Sequence, residues 1–168
     1  ADAFKAGMGA EAIQQLLENR GYEIVPFASG ADVYIINTCT VTNIADHAFQ
    51  GSRIRSVTLS PNITRIGSGA FAGAELAQFV NPAPDKLTDL GDGAFAGCAS
   101  LTNFVTGANL AQIPPWTFAN CTALQSVTLG GAVGSIGVGA FSNCVNLAAI
   151  VFPARLGAIG DGAFGNCR

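Results

Sequence analysis

Eight of the chain's eleven phenylalanines stand at nearly even intervals: Phe4, Phe27, Phe49, Phe71, Phe95, Phe118, Phe141 and Phe164. The successive gaps are 23, 22, 22, 24, 23, 23 and 23 residues. A period in the low twenties belongs to short coils stacked along one axis, none able to bury its apolar residues alone. Such a stack presents long surfaces more readily than a closed pocket.

Other columns keep step with the phenylalanines. Five positions earlier comes an aliphatic residue: Ile44, Ile66, Leu90, Ile113, Ile136 and Ile159. Two positions earlier, Gly69, Gly93, Gly139 and Gly162 recur, with His47 and Trp116 in their place in two coils. That glycine reads as a tight turn, where a side chain would crowd the next coil. Three positions later stand Cys98, Cys121, Cys144 and Cys167, and six later Leu101, Leu124 and Leu147. A short alternating stretch follows, clearest in Val57-Thr58-Leu59, Val127-Thr128-Leu129 and Ile150-Val151-Phe152. Alternation rich in β-branched residues predicts a strand with one face inward. Strands of successive coils then stack in parallel, about 4.8 Å apart.

Composition agrees. Charged residues are only 11% of the chain, against about 25% in an ordinary soluble domain. Stacked coils cover most of each other and leave few positions that need charge. A net charge of -3 argues against a nucleic-acid surface, which is normally basic. Arg53, Arg55 and Arg65 form the densest basic group and read as solvated side chains. No apolar run approaches the roughly 20 residues of a membrane span. No signal-peptide pattern is visible at the start of the sequence, and the compartment stays open.

The run Ile136-Gly-Val-Gly-Ala-Phe141-Ser-Asn-Cys144-Val-Asn-Leu147-Ala-Ala-Ile150 resembles the BspA-like class of leucine-rich repeat. Ile66-Gly-Ser-Gly-Ala-Phe71 and Ile159-Gly-Asp-Gly-Ala-Phe164 carry the same signature. The resemblance covers roughly residues 41–168. It implies a right-handed solenoid of about six to seven coils, its short parallel strands stacked in one sheet. Proteins of that family are commonly surface or secreted molecules that mediate adhesion and protein binding. The resemblance attaches no catalytic group to the repeat.

Residues 8–46 read differently. Ala12, Ile13, Leu16 and Leu17 share one face of an amphipathic helix over 10–20, stopped by Gly21. Ile24-Val25 and Ala31–Asn37 read as strands, the second buried on both faces if parallel. The stretch Glu11–Phe27, followed by Ala31–Asn43 with its Asn37-Thr-Cys39-Thr-Val-Thr-Asn43 run, looks like the N-terminal domain of radical-SAM tRNA methylthiotransferases. In that family the cysteine of this run is one of three ligands to an auxiliary iron–sulfur cluster. Cys39 alone matches here, and the Cys-x3-Cys-x2-Cys radical motif is absent from the sequence. One thiolate does not hold a cluster that takes several. Iron–sulfur chemistry is therefore not expected, and no cofactor is implied.

The phenylalanines of this segment nevertheless stay in register with the ladder. We expect residues 1–40 to form a helix–strand cap over the open end of the repeats 41–168, as solenoids require. A natural fusion, a remnant of such an enzyme, an engineered protein and a generated sequence all fit this mosaic.

Among individual residues, the cysteines read as a buried thiol ladder, since none has the Cys-x2-Cys spacing of a zinc site. His47, the single histidine, has no serine or acid partner assignable to a triad. Asp46, Asp92 and Asp161 read as turn residues. Asn62-Ile-Thr64 and Asn120-Cys-Thr122 match the glycosylation sequon. The outward strand positions are the candidate partner-binding surface: Ser56, Gln78, Asn103, Ser126 and Ala149 in one column, Thr58, Val80, Val105, Thr128 and Val151 in the other. Trp116 is a candidate aromatic anchor beside them. The expected function is non-catalytic recognition or adhesion toward a protein or peptide partner, with the oligomeric state left open.

Overall fold

The computed structural model describes residues 41–168 and, as backbone, the strand Val33–Ile35. The expected helix over 10–20 and the strand at Ile24-Val25 lie outside the described residues. Two ladders of short strands run along the stack. The first holds the three-residue strands β1 (Val33–Ile35), β3 (Ser56–Thr58), β5 (Gln78–Val80), β7 (Asn103–Val105), β9 (Ser126–Thr128) and β11 (Ala149–Val151). The second holds the two-residue strands β2 (Asn43–Ile44), β4 (Arg65–Ile66), β6 (Asp89–Leu90), β8 (Gln112–Ile113), β10 (Ser135–Ile136) and β12 (Ala158–Ile159). All pairings are parallel, and they join the same column of adjacent coils, as Val57 with Phe79 and Ile66 with Leu90.

The expected stacked parallel strands are thus present, with a second ladder that the aliphatic column alone does not announce. Each ladder divides into two three-stranded sheets, between β5 and β7 and between β6 and β8. The division falls in the 24-residue coil, the longest interval between phenylalanines. There Pro82 and Pro84 lack backbone donors, and Pro84–Lys86 forms a 3-10 turn. The turn is fastened onward through Asp85, whose Oδ1 accepts from the Ala108 N–H at 2.7 Å and whose carbonyl accepts from Asn109 Nδ2 at 2.7 Å.

A third set of bonds runs unbroken through the division. From the coil of Phe49 to that of Phe141, the N–H groups two before, at and two after the phenylalanine donate to the next coil. Gly69, Phe71 and Gly73 donate to Asp92, Ala94 and Ala96, and Gly93, Phe95 and Gly97 to Pro115, Thr117 and Ala119, all at 2.7–3.0 Å. This ridge has left-handed backbone at both flanking positions. They are His47, Gly69, Gly93, Trp116, Gly139 and Gly162 on one side, and Gly51, Gly73, Gly97, Asn120, Asn143 and Asn166 on the other, with φ between 57° and 73°. Glycine and asparagine are the residues that tolerate this region best. The asparagines also bond to one another, Asn166 Nδ2 to Asn143 Oδ1 and Asn143 Nδ2 to Asn120 Oδ1, each at 2.8 Å.

Inside, Phe49, Phe71, Phe95, Phe118, Phe141 and Phe164 form one continuous stack, with ring centroids 5.1–5.5 Å apart and planes within 11°. Phe79 and Phe104, from β5 and β7, stack on each other at 5.4 Å and meet the spine edge-on. They bridge the place where the strand ladder is interrupted.

Candidate functional site

The strand ladder β3 to β11 turns its central residues inward. Val57, Phe104 and Val127 are buried, and Phe79 and Ile150 are partly buried against the core. Its flanking residues face outward, as alternation requires. Gln78, Asn103, Thr128 and Ala149 are exposed, while Ser56, Thr58 and Ser126 are half-exposed. Val80, Val105 and Val151 are 47%, 55% and 76% exposed. None of these positions carries a charge, and Ser56 Oγ lies 3.5 Å from Gln78 Oε1 in the neighbouring strand. The face is therefore polar through hydroxyls and amides, with a row of valines beside them.

Trp116 does not join this face. It sits on the ridge with φ of 58°, a conformation that costs an L-residue roughly 1–2 kcal/mol. Its indole lies on the next coil: a Cβ added to Gly139 would run into the six-membered ring. His47 does the same over Gly69, where an added Cβ would meet its Nδ1 at 2.5 Å. A bulky side chain at this position thus demands glycine in the following coil. A second glycine column, Gly67, Gly91, Gly137 and Gly160, has a different cause. A Cβ there would strike the backbone of the preceding coil.

His47 is exposed, and the neighbouring Asp46 carboxylate is occupied elsewhere. Its Oδ1 accepts from the Ser68 N–H at 2.9 Å and lies 3.5 Å from Arg65 Nη2. Arg65 also reaches Asp89 at 3.0 Å, and Arg55 reaches Glu75 at 3.4 Å. Two members of the basic group are therefore neutralised by carboxylates. In the sequons, Asn62 Oδ1 accepts from Lys86 Nζ, and Asn120 belongs to the asparagine ladder. Among the described residues no three His, Cys, Asp or Glu side chains gather as a metal site. No helix among them is long and apolar enough to cross a membrane.

The thiol ladder is present. Cys98, Cys121, Cys144 and Cys167 are free, and each Sγ donates to the carbonyl of the phenylalanine one coil back, at 3.0–3.1 Å. Cys39 lies outside the described residues. Burial pushes the Cys98 and Cys144 thiols up from 9.0 to about 12, and neighbouring Cys167 adds to the effect at Cys144. Burial raises Cys121 as well, with Cys98 and Cys144 contributing. The folded chain therefore keeps these protons where the unfolded chain loses them. The stability this confers is complete below about pH 9 and declines as pH rises from there toward about 12. We expect the urea midpoint to fall across that window, and to fall less steeply in Cys121→Ala. Identical slopes for the two proteins would refute the assignment.

A stack of parallel coils with a phenylalanine spine, thiol-capped turns and an uncharged strand face defines a leucine-rich-repeat solenoid. Residues 42–168 match the family described as BspA type Leucine rich repeat region, in six copies, and the chain belongs to that family. A leucine-rich repeat protein from Bacteroides ovatus ATCC 8483 has a similar structure, with a TM-score of 0.72 and 28% identity over 76% of this chain and 33% of that one. The T. pallidum Leucine Rich Repeat protein has the same fold, with a TM-score of 0.57 and 24% identity over 82% of this chain and 77% of that one.

Residues 6–77 also match the Uncharacterized protein family UPF0004. Threonylcarbamoyladenosine tRNA methylthiotransferase MtaB of Bacillus subtilis (strain 168) is 39% identical over 70 residues, which are 42% of this chain and 16% of that protein. The chain thus spans about a sixth of that relative and a third of the Bacteroides ovatus protein. Matches to two family models thus overlap along the chain, at residues 6–77 and 42–168. The methylthiotransferase-like sequence takes part in the stack, because β1 pairs in register with β3, Val33 opposite Ser56 and Ile35 opposite Thr58.

Proposed function

We propose that the chain is a non-catalytic module that recognises a protein or peptide through the outward columns of β3, β5, β7, β9 and β11. The observation that carries this reading is the row of Val80, Val105 and Val151, exposed beside Gln78 and Asn103 with no charged side chain among them. Interfaces are depleted of charge at their centres, and a partner covering this face desolvates no ion. The stacked coils hold the columns in fixed register, so little ordering entropy is lost on binding. Adhesion is the setting that the family resemblance suggests. Residues 1–40 are proposed as the cap, with the repeats beginning near residue 41. This reading is favoured by the pairing of β1 with β3.

The test uses Val105→Lys with Thr128→Lys, which puts two desolvation-resistant charges in the middle of the face while leaving Phe104 and Val127 untouched. A partner isolated on the wild-type chain and verified with both components purified should lose at least about tenfold in affinity, or about 1.4 kcal/mol. Unchanged affinity in a folded variant removes this face from the binding site.

A further inference from the structure

The ridge carries a second surface. Trp116, the only tryptophan, is 51% exposed in a column that is glycine in four of the six described coils. Its position is fixed from several sides. Its N–H donates to the Val138 carbonyl at 2.9 Å, and its carbonyl accepts from Ala119 at 3.0 Å. Pro114 and Pro115 precede it, and the buried Thr117 hydroxyl donates to the Pro114 carbonyl at 2.7 Å. One face of the indole rests on Gly139, which is buried beneath it.

The glycines on either side of this platform are open. Nothing lies within 4 Å of a Cβ position at Gly162, and only the Ala96 methyl, at 3.7 Å, approaches that of Gly93. An exposed carboxylate precedes each of these glycines, Asp92 and Asp161. Backbone bonds set their placement. Gly93 donates to Pro115 and Gly139 donates to Asp161, both at 3.0 Å. The coils bearing the two acids therefore flank the pair of coils that the indole spans. Asp46 and Asp89 are held by Arg65, and Asp85 is fastened to Ala108. No cation among the described residues lies within ion-pair distance of the Asp92 or Asp161 carboxylate. Val138, 42% exposed, adds apolar surface immediately before Gly139 in the same coil.

We propose that Trp116, flanked by Asp92 and Asp161, is a docking platform for a cationic side chain of a basic peptide segment. A guanidinium or ammonium group is attracted to the face of an indole, and its methylene stem covers apolar surface such as Val138. Two carboxylates with no ion pair among the described residues complete the complementarity. An acidic partner is repelled by them and by the net charge of -3, and a purely apolar partner leaves them desolvated without compensation. This site is separate from the strand face and stands or falls independently of it.

Because Trp116 is the sole tryptophan, its fluorescence reports on the site. A capped oligo-arginine peptide titrated into the full chain at low salt should change that emission saturably. Asp92→Asn with Asp161→Asn should weaken binding about tenfold or more. Glu75→Gln with Asp89→Asn removes the same formal charge elsewhere and should weaken it far less. Trp116→Gly restores the residue common in this column, so it should fold, and calorimetry should find its peptide binding lost. Val105→Lys with Thr128→Lys should retain peptide binding. Equal weakening by the two charge-removing pairs, a non-saturable signal, or unchanged binding by Trp116→Gly would overturn the proposal. So would loss confined to the strand-face variant.

Discussion

Phe95→Ala is expected to lower the unfolding free energy by about 3–5 kcal/mol, the range for truncating a buried phenylalanine. The ring is fully buried. It stacks between Phe71 and Phe118 at 5.3 and 5.5 Å and meets Phe79 and Phe104 edge-on at 5.0 Å each. Its place in the stack adds a second consequence. Phe95 belongs to the coil where both strand ladders are interrupted. Across that junction the ridge bonds, the Asp85 contacts and this aromatic cluster hold the two parts together. A solenoid behaves as a row of units coupled to nearest neighbours, so a weakened junction uncouples the row. In guanidinium, Trp116 fluorescence reports the coils after the junction and far-ultraviolet circular dichroism reports all of them. The two curves should coincide in the wild-type chain and separate in Phe95→Ala. Coincident curves with a loss below about 1 kcal/mol would show that the junction is held by something other than this ring. Phe164→Ala, partly buried in the last coil, should cost less.

What the sequence discloses about this fold depends on how each requirement is written in residue types. Burial recurs once per coil, so the columns of Phe71, Ile66 and Cys121 are legible from spacing alone, and all three side chains are buried. The outward columns follow from alternation, and Val80 and Val105 lie where alternation puts them. The ridge is harder to read because its requirement is a backbone conformation. Gly51, Gly73 and Gly97 give way to Asn120, Asn143 and Asn166 at one offset from phenylalanine. The signal lies in recognising that both residue types tolerate a positive φ. Trp116 and His47 obscure the partner column, since they interrupt its glycines with bulky rings. The interruption of the ladders leaves one extra residue and two prolines as its trace, and these read equally well as a longer loop. A likeness to the methylthiotransferases is legible in Asn37–Asn43, while the register of Phe27 with the ladder is what points to a place in the stack. A segment similar to an enzyme supplies β1, a strand of the solenoid. The stacking requirement constrains the position of phenylalanine and the inward strand residues and leaves the other positions of a coil free to vary.

The two glycine columns make the sharpest distinction between neighbouring residues. Gly137→Ala should destabilise the chain by about 1–3 kcal/mol or more, as overpacking does. The added Cβ would lie 2.7 Å from the Pro114 carbonyl carbon and 2.8 Å from Pro115 Cα, and closer still to the Pro115 nitrogen. These are backbone atoms, and moving them disturbs the ridge bond from Gly93 to Pro115. The small gain from a stiffer unfolded chain, about 0.4–1 kcal/mol, does not offset this. Gly139→Ala should be of similar size for another reason. Its φ of 60° costs alanine roughly 1–2 kcal/mol, and its Cβ collides with the Trp116 ring. Only the second part is removable. Trp116→Gly in the same chain takes the ring away and leaves the conformational cost. A double-mutant cycle between residues 116 and 139, read by circular dichroism in guanidinium, should therefore show a coupling of about 1–3 kcal/mol. The cycle between 116 and 137 should show almost none, because the obstacle to Gly137→Ala is the backbone of the preceding coil. Additivity within about 0.5 kcal/mol in the first cycle would mean that the indole does not rest on Gly139. The platform proposed for a cationic side chain would then lose its geometry as well.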